Sequence, residues 1–327
     1  MTITIFGAGA VGLYLAAKLA LSGQTVGIVA RGANLAALRR RGGRYRQGGE
    51  VRDFAVRATD RPAELGPQDL VIIAVKAQSL GPAAAAIATL VGPDTVLLAA
   101  QNGLPWWYTY RVGGALEGRR IAALDPDGAI AAKLDPARAI GCVLVMAASV
   151  PEPGLVQHLS GDELILGEPD GSASNRLARM TARLRDAGIN VATTDRIRDA
   201  VWLKLWGNMT FNPVSVLTRG NLLDLANDPD TLFVLRRAMR EAQAVGEAVG
   251  VRFGRDLEAR IEESRIVGPH KSSTLQDFEA GRDLEIEALL GAPIELARAV
   301  GIATPTLDMI AALTRLAARS RTRPSGS

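Results

Sequence analysis

A chain of 327 residues with 48% hydrophobic and 22% charged residues is long enough for two globular domains and too apolar to be disordered. Its net charge of +4 comes from cations spread along the chain, which suits a phosphorylated cofactor and a carboxylate substrate better than nucleic acid. The chain has no apolar run of the roughly 18–20 residues that span a membrane, and it opens on a predicted strand rather than a secretory signal. Two histidines are too few for a histidine-based metal site, and a single cysteine cannot form an internal disulfide. We therefore expect a cytoplasmic protein.

A glycine-rich motif follows the first predicted strand, Thr2–Phe6. The motif consists of Gly7, Ala8, Gly9, Ala10, Val11 and Gly12. The first glycine allows a tight turn from strand to helix, and the second lets a pyrophosphate approach the backbone. The third allows the predicted helix Val11–Leu21 to pack closely on the strand. Because the N-terminus of that helix offers free N–H groups to phosphates, the motif predicts a dinucleotide site in a Rossmann-type fold.

The end of the second predicted strand, Thr25–Ala30, indicates which dinucleotide binds. In a site for NAD or FAD, an acidic residue at this point accepts the ribose 2′-hydroxyl. Arg31 occupies the position here, nineteen residues after Gly12. A cation cannot accept that hydrogen bond, but it can pair with a 2′-phosphate. We therefore predict NADPH/NADP as the cofactor, and the same arginine disfavours a flavin.

Two further predicted strands end beside polar residues. The runs Asp69–Val75 and Thr95–Ala100 are continuously apolar, as expected of parallel strands buried on both faces. Lys76 follows the first run and Asn102 follows the second. Since ligands bind at the carboxyl ends of parallel strands, both residues are expected to face the nicotinamide of the cofactor. The segment Leu104–Gly141 gives no clear pattern, and we assign no structure to it.

The rest of the chain changes from alternating strands and helices to helices alone near residue 195. The other predicted elements before that point are an arginine-rich helix after Arg31, a hairpin or loop at Gly42–Glu50, a helix at Pro82–Leu90, strands at Cys142–Ser149, Leu155–His158 and Glu163–Leu166, a helix at Ala173–Ala187 and a strand at Ile189–Thr193. The predicted helices after it are Asp199–Leu217, Thr231–Val249, Leu257–Ile266, Thr274–Val300 and Thr306–Arg319. The predicted fold is therefore α/β, with an N-terminal Rossmann-type domain (1–195) followed by an all-α C-terminal domain (196–327) whose tail, 321–327, is disordered.

A row of polar residues lies on the first predicted helix of the second domain. Lys204, Asn208 and Asn212 occur at i, i+4 and i+8, which places them on one helix face among aromatic and aliphatic neighbours. Such groups cost free energy in apolar surroundings unless each finds a partner, and a substrate carboxylate and carbonyl would provide partners. Lys204 is then the candidate proton donor. The alternative is a capped helix end with a lysine that reaches to solvent.

A later segment contributes a serine and a glutamate. Ser272 and Ser273 resemble a helix start, with Gln276 in the capping-box position for Ser273, and this structural role alone would explain Ser273. Glu285 falls in an apolar helical stretch. It either pairs with an arginine such as Arg282 or faces the substrate.

Together these motifs resemble the ketopantoate reductase (2-dehydropantoate 2-reductase) family. The resemblance rests on GAGAVG at the start of the chain, VKA around Lys76, QNG around Asn102, the K-x3-N-x3-N-P spacing, and Ser273 and Glu285 twelve residues apart. It implies NADPH-dependent reduction of a 2-oxo acid to a 2-hydroxy acid. In particular it implies reduction of 2-dehydropantoate to (R)-pantoate, as in pantothenate biosynthesis.

The resemblance also implies a role for each candidate residue. Lys204 matches the general acid of the family, and Glu285 matches the glutamate that holds the substrate hydroxyl or the lysine. The residues that hold the substrate are Asn208, Asn212, Ser273 and Asn102. The residues that line the cofactor are the six of the glycine motif together with Arg31, Lys76 and Asn102.

Two alternative functions stay open at the level of sequence. The aromatic cluster Trp106–Tyr110, in a connection longer than the family usually has, favours a different 2-oxo acid as substrate. A non-catalytic NADP-sensing protein would keep the fold, but it would need none of Lys204, Asn208, Asn212 or Glu285. The expected partner is a small-molecule 2-oxo acid, with neither nucleic acid nor membrane involved. A homodimer is compatible with the sequence.

Overall fold

Two compact units make up residues 1–321, the part of the chain that the computed structural model describes. The first unit contains Met1–Gln101, Pro105–Arg120 and Asp127–Ile197. The second contains Asn102–Leu104, Ile121–Pro126 and the chain from Arg198 onward. Two short pieces that precede residue 195 thus pack with the helical unit. Apart from Arg321, the tail predicted to be disordered lies outside the described residues.

A ten-stranded sheet organises the first unit within the described chain. Its strands are β1 (Ile3–Phe6), β2 (Val26–Val29), β3 (Gly43–Gln47), β4 (Glu50–Phe54), β5 (Arg57–Thr59), β6 (Gln68–Ile73), β7 (Val91–Ala99), β8 (Ala139–Glu152), β9 (Leu155–Gly167) and β10 (Asn190–Thr193). Their order is β4-β3-β9-β8-β7-β6-β1-β2-β5, with β10 beside β9. The series β5-β2-β1-β6-β7-β8 is parallel throughout, in the order of a doubly wound dinucleotide-binding sheet. This confirms the predicted Rossmann-type fold.

The central strands are buried on both faces, which is why their sequences are almost wholly apolar. Ile5 of β1 and the four residues Leu70–Ile73 of β6 have no exposed surface. Thr4 is the polar exception in β1, and its hydroxyl donates a hydrogen bond to Gln68 Oε1 at 3.0 Å. A parallel sheet covered by helices on both sides accepts a polar side chain only when it is paired in this way.

Helices of the first unit are α1 (Ala10–Leu21), α2 (Gly32–Arg41), α3 (Leu80–Ala88) and α4 (Asn175–Asp186). Ser174 caps α4, because its hydroxyl accepts a hydrogen bond from the N–H of Leu177 at 3.0 Å. Gly188 follows the end of α4 with a φ of +69°, a conformation that favours glycine. All four helices were predicted from the sequence.

One strand prediction was wrong. Leu155–His158 and Glu163–Leu166 were predicted as separate strands, but they belong to the single strand β9, which pairs antiparallel with β8. The ladder shifts register between them, where Gly161 has a φ of +63°. A bulge of this kind interrupts the sequence pattern without ending the strand. The hairpin or loop predicted at Gly42–Glu50 is the hairpin of β3 and β4.

The segment Leu104–Gly141, to which we assigned no structure, runs through turns and buries aromatic side chains in the first unit. Trp107 and Tyr108 have no exposed surface, and the Trp107 ring lies against Gly141. Arg111 Nη1 pairs with Asp170 Oδ2 at 2.6 Å. Hydrogen bonds from the hydroxyl and the N–H of Ser172, together with Arg111, lower the pKa of Asp170 to about 2. The carboxylate therefore stays charged over the physiological pH range.

Every regular element among the described residues of the second unit is helical. Its elements are α5 (Ile197–Asn208), α6 (Phe211–Thr218), α7 (Leu222–Asn227), α8 (Pro229–Ala248), α9 (Leu257–Val267), α10 (Ser273–Glu279), a π-turn (Glu287–Gly291), α11 (Ala292–Ala299) and α12 (Pro305–Ser320). Helix α7 and strand β5 were not predicted. No helix among residues 1–321 combines the length and the apolar character that crossing a membrane requires.

Two long helices predicted in this unit are each broken. Asp199–Leu217 is divided between α5 and α6. Pro213 supplies no N–H to the carbonyl four residues before it, and the Thr210 hydroxyl donates at 2.8 Å to a carbonyl of the previous turn. Thr274–Val300 is divided after α10, where Gly281 has a φ of +71°.

Candidate functional site

Each glycine of the opening turn has the geometry that its position in the motif requires. Gly7 has a φ of +116°, and a Cβ added there would lie 2.8 Å from the Ala74 carbonyl oxygen. A Cβ at Gly12 would overlap the Gly7 carbonyl oxygen. At Gly9, by contrast, no atom of the described chain lies within 4 Å of the added Cβ. Packing requires the first and third glycines, whereas Gly9 leaves the N-terminus of α1 open to a ligand.

Asn34 on α2 holds this turn in place and was missed by the sequence analysis. Its Nδ2 donates a hydrogen bond to the Ala8 carbonyl at 2.8 Å. Its Oδ1 accepts one from the N–H of Gly154 at 3.0 Å. One amide thus ties the glycine motif to the turn between β8 and β9. A single asparagine in an arginine-rich helix carries no sequence signal for this role.

Arg31 lies at the N-terminus of α2, immediately after β2, and is exposed. Its side chain makes no hydrogen bond or ion pair with any residue from 1 to 321. Two neighbouring arginines are already engaged: Arg39 pairs with Asp60 at 2.8 Å, and Arg41 donates to the Pro153 carbonyl at 2.8 Å. An uncommitted guanidinium beside an open helix N-terminus fits a dinucleotide that carries an extra phosphate.

Lys76 is in the same unit, next to the glycine turn. It is half-buried and starts the 3₁₀ turn Ala77–Ser79 that follows β6. The residue before it, Val75, packs against Gly7, and its carbonyl accepts a hydrogen bond from Gln101 Nε2 at 2.7 Å. The structure thus brings Lys76 to the predicted cofactor site.

Alanine at Gly9 and at Gly12 is expected to separate ligand binding from folding. Gly12→Ala should lower the free energy of unfolding by about 1–3 kcal/mol, because the new methyl group overlaps backbone. Gly9→Ala should keep the Tm and weaken NADPH binding by about tenfold or more, since a methyl group would displace the phosphates from the helix N-terminus. Thermal unfolding and fluorescence titration with NADPH measure both. Unchanged NADPH affinity in Gly9→Ala would refute the predicted contact.

The predicted proton donor and Asn102 are hydrogen-bonded in the second unit. Lys204 Nζ, on α5, donates to Asn102 Oδ1 at 2.9 Å. Both side chains are half-buried. Although Asn102 follows β7 along the chain, it packs with the helical unit. Two candidates that lie 102 residues apart in the sequence therefore meet in one constellation.

Asn208 and Asn212 lie on different helices because of the break described above. Asn208 is the last residue of α5, and Asn212 is in the first turn of α6 with 7% of its surface exposed. The Ser215 hydroxyl donates to the Asn212 carbonyl at 2.7 Å. Neither side-chain amide forms a hydrogen bond within residues 1–321. Both amides are therefore available to a ligand.

The serine that caps α10 is Ser272, which corrects the predicted role of Ser273. The Ser272 hydroxyl accepts the N–H three residues later at 3.0 Å and lies 2.7 Å from the Ser215 hydroxyl of α6. Gln276 Nε2 donates to the Lys271 carbonyl, so it does not complete a capping box with Ser273. Ser273 is the exposed first residue of α10. Its hydroxyl is left for another partner, while Ser272 fixes α10 to the helix that carries Asn212.

Glu285 is half-buried and lies two residues before the π-turn. Its carbonyl accepts the N–H of Leu289, inside that turn, at 3.0 Å. Arg282, one of its two predicted partners, instead bonds Asp277 Oδ1 at 2.6 Å. The predicted ion pair between Glu285 and Arg282 is therefore not formed, because Arg282 pairs with Asp277.

Comparison with known proteins connects this geometry to a family. Residues 3–171 match the family model described as ketopantoate reductase PanE/ApbA, and residues 196–318 match the model for its C-terminal part. A protein of Mesorhizobium japonicum named 2-dehydropantoate 2-reductase is 48% identical over 98% of this chain and 99% of its own. A crystal structure from Ralstonia solanacearum, described as a candidate ketopantoate reductase, has a TM-score of 0.94 and 43% identity, with 98% of each chain covered.

Two more distant structures share the fold. A D-mandelate dehydrogenase solved with NADH is 20% identical, with a TM-score of 0.82 over 99% of this chain and all of its own. A ketopantoate reductase from Staphylococcus aureus, described as dimeric, is 21% identical, with a TM-score of 0.76 over 98% of this chain and all of its own. At this identity the likeness concerns the fold alone.

Proposed function

The chain belongs to the ketopantoate reductase family, and we propose that it reduces 2-dehydropantoate to (R)-pantoate with NADPH, as in pantothenate biosynthesis. It is an oxidoreductase that uses a nicotinamide cofactor. The observation that carries the proposal is the 2.9 Å hydrogen bond between Lys204 Nζ and Asn102 Oδ1. It places an ammonium group in the same unit as the available amides of Asn208 and Asn212.

The first unit supplies the groups that would hold the cofactor. When bound, NADPH provides the hydride for the reduction. Gly9 and the N-terminus of α1 would receive its pyrophosphate, and Arg31 would pair with the 2′-phosphate. Lys76 would line the site beside the glycine turn. Asn34 acts only indirectly, through its hydrogen bond to the Ala8 carbonyl.

Lys204 would act as the general acid. Reduction of a carbonyl group builds negative charge on its oxygen, and an ammonium group within hydrogen-bond reach stabilises that charge and then donates the proton. An ammonium has three N–H donors, and Asn102 Oδ1 accepts one of them. Glu285 would hold the substrate hydroxyl or the lysine itself.

Three neutral donors would hold the rest of the substrate. Asn208 and Asn212 offer amides that have no partner within residues 1–321, and Ser273 offers an exposed hydroxyl. Asn212 is 7% exposed, and its amide would donate to the ligand. These residues would set the affinity for the 2-oxo acid rather than for the dinucleotide.

A different 2-oxo acid was the alternative that the aromatic cluster Trp106–Tyr110 favoured. Trp107 and Tyr108 lie in the first unit and have no exposed surface. These two side chains therefore support a structural role, whereas Trp106 and Tyr110 are half-buried and leave the alternative substrate to be tested. The alternative of a non-catalytic NADP sensor does not account for the Lys204–Asn102 pair.

Substrate preference tests the proposal directly. Loss of NADPH absorbance is expected to give its highest kcat/KM with 2-dehydropantoate in a panel that includes pyruvate, 2-oxoisovalerate and phenylglyoxylate. Asn212→Ala should raise the KM for 2-dehydropantoate by about tenfold, the effect of losing about 1.5 kcal/mol of hydrogen bonding to a charged group. Its Kd for NADPH should not change. A higher kcat/KM with another acid would show that 2-dehydropantoate is not the preferred substrate. If no acid were reduced, a non-catalytic NADP-sensing protein would be favoured.

We also propose that the protein forms a homodimer and works in the cytoplasm. Met309, Leu313 and Leu316 form an apolar row along α12 and are 50–61% exposed. Such a row is typical of a surface that packs against another protein. The S. aureus relative is described as dimeric. Cys142 is a buried free thiol, as is usual in a reducing compartment.

A further inference from the structure

The segment that carries Asn102 is bound to the π-turn by contacts that the proposed function does not use. The N–H of Leu104 donates to the Ala288 carbonyl, inside the turn, at 2.9 Å. Gly103 has a φ of +82°, and a Cβ added there would lie 2.6 Å from the Ala288 Cβ and 2.7 Å from its carbonyl oxygen. Position 103 therefore accepts only glycine, for conformation and for space.

The π-turn is itself clamped from the other side. Arg315 of α12 makes two hydrogen bonds to the Glu287 carboxylate, from Nε to Oε1 at 2.7 Å and from Nη2 to Oε2 at 2.8 Å. The carboxylate lies over Gly291, where a Cβ would overlap Oε2. A π-turn inserts one extra residue into a helix and is frequent at functional sites. Here a bidentate ion pair to its first residue, Glu287, stabilises the turn.

Residues 121–126, a second stretch of the segment between β7 and β8, are held by α11, the helix that follows the turn. Glu295 of α11 accepts the N–H groups of Ala122 and Ala123 at 2.9 and 2.8 Å. Two stretches between β7 and β8 pack with the helical unit, namely 102–104 and 121–126. Both therefore bind to residues of the run 287–299. The turn also begins two residues after Glu285, whose carbonyl accepts the Leu289 N–H. One element therefore sets the place of Asn102 and of Glu285 together.

We propose that the π-turn Glu287–Gly291 is a positioning element, which acts through Gly103 and Asn102 on the Lys204 ammonium. The proposal rests on the assignment of Lys204 as proton donor. Only one residue separates the Ala288 contact from the 2.9 Å hydrogen bond of Asn102. A backbone shift of about 1.5 Å, the length of a C–C bond, would take that bond beyond the range of hydrogen bonding. Gly103 and Ala288 thus act on catalysis without touching the substrate.

Gly103→Ala tests the proposal against a matched control. Gly301→Ala introduces the same strain, because Gly301 has a φ of +74° and no atom of the described chain lies within 4 Å of its added Cβ. Gly103→Ala is expected to lower kcat by about 10²-fold, the usual effect of misplacing a catalytic group by about 1 Å. Gly301→Ala should keep kcat near that of the unmodified enzyme.

A double-mutant cycle distinguishes positioning from general damage. In the Asn102→Ala background, Gly103→Ala should cause no further loss of kcat, because the residue through which it acts is gone. A loss of similar size in both backgrounds would overturn the proposal.

The position of Lys204 can also be followed without turnover. The chain has five lysines, so ¹⁵N-lysine labelling gives few ammonium signals, and the Lys204 signal is the one lost in Lys204→Ala. That signal should move in Gly103→Ala and stay in Gly301→Ala, whether or not any 2-oxo acid is reduced. An unmoved signal would overturn the proposal while leaving the proposed function intact. If Gly103→Ala does not fold, Glu287→Ala, which removes a half-exposed carboxylate, should move the same signal, and an unmoved signal there would also overturn it.

Discussion

Lys204→Ala is expected to lower kcat by about 10²–10⁴-fold, with NADPH affinity and Tm close to those of the unmodified protein. A positioned general acid contributes about that factor when charge develops on a carbonyl oxygen. Lys204 is half-buried and held by Asn102, so its loss removes a donor that water replaces poorly. Steady-state kinetics with saturating NADPH and single-turnover reduction of the 2-oxo acid measure the effect.

Two control variants make the Lys204 result specific. Lys271 is also a lysine of the helical unit, but it is exposed and bonded to Glu279 at 2.8 Å, so Lys271→Ala should leave kcat unchanged. Lys204→Arg keeps the positive charge but does not release a proton near neutral pH, so it should be nearly as slow as the alanine variant. Activity of the unmodified enzyme should fall at high pH as the ammonium deprotonates. Near-normal turnover by Lys204→Ala would assign the proton to Lys76 or to water.

Arg31→Asp is expected to weaken NADPH binding by roughly tenfold to over a hundredfold and to change NADH binding little. A charge-assisted contact with phosphate contributes on the order of 1.5–3 kcal/mol. NADH lacks the 2′-phosphate, so it does not make this contact and loses nothing when Arg31 is replaced. Because the contact would be exposed, the preference for NADPH should also weaken as ionic strength rises. Fluorescence titration with both cofactors at two salt concentrations measures these effects.

Arg39→Ala is the matched control for Arg31. It removes an arginine of the same helix that is already paired with Asp60, so cofactor preference should not change. Equal affinity of the unmodified protein for NADH and NADPH would contradict the assignment of Arg31. The protein would then still bind a nicotinamide cofactor, but Arg31 would make no contact with a 2′-phosphate.

The sequence predicted the features that depend on neighbouring residues. The glycine turn is an example, since the spacing of three glycines fixes its backbone and the strand before it supplies the context. The central strands β1, β6 and β7 were recognisable because a strand buried on both faces contains a nearly continuous apolar run. The break between the α/β and helical parts of the chain followed from the change in periodicity near residue 195.

Features that depend on distant contacts were not predictable. The Lys204–Asn102 bond requires residues 102–104 to pack with helices that begin about a hundred residues later, which no local pattern specifies. The π-turn gives the same apolar sequence pattern as an ordinary helix. Ser272 and Ser273 are both good N-cap residues, and only tertiary contact with Ser215 decides between them. Asn34 could not be distinguished from a solvent-exposed side chain.

The hydrogen bond of Asn34 to the glycine turn has a consequence for redesigning coenzyme preference. Arg31 and Asn34 are three residues apart in the first turn of one helix, so coenzyme choice and loop anchoring share one short stretch of backbone. Substitutions at residue 31 that alter the start of the helix would also displace the amide that holds Ala8. A library aimed at converting the enzyme to NADH should therefore vary residue 31 among helix-capping side chains such as Asp, Ser and Asn. It should keep Asn34 invariant, so that selectivity can change without loosening the loop on which both coenzymes depend.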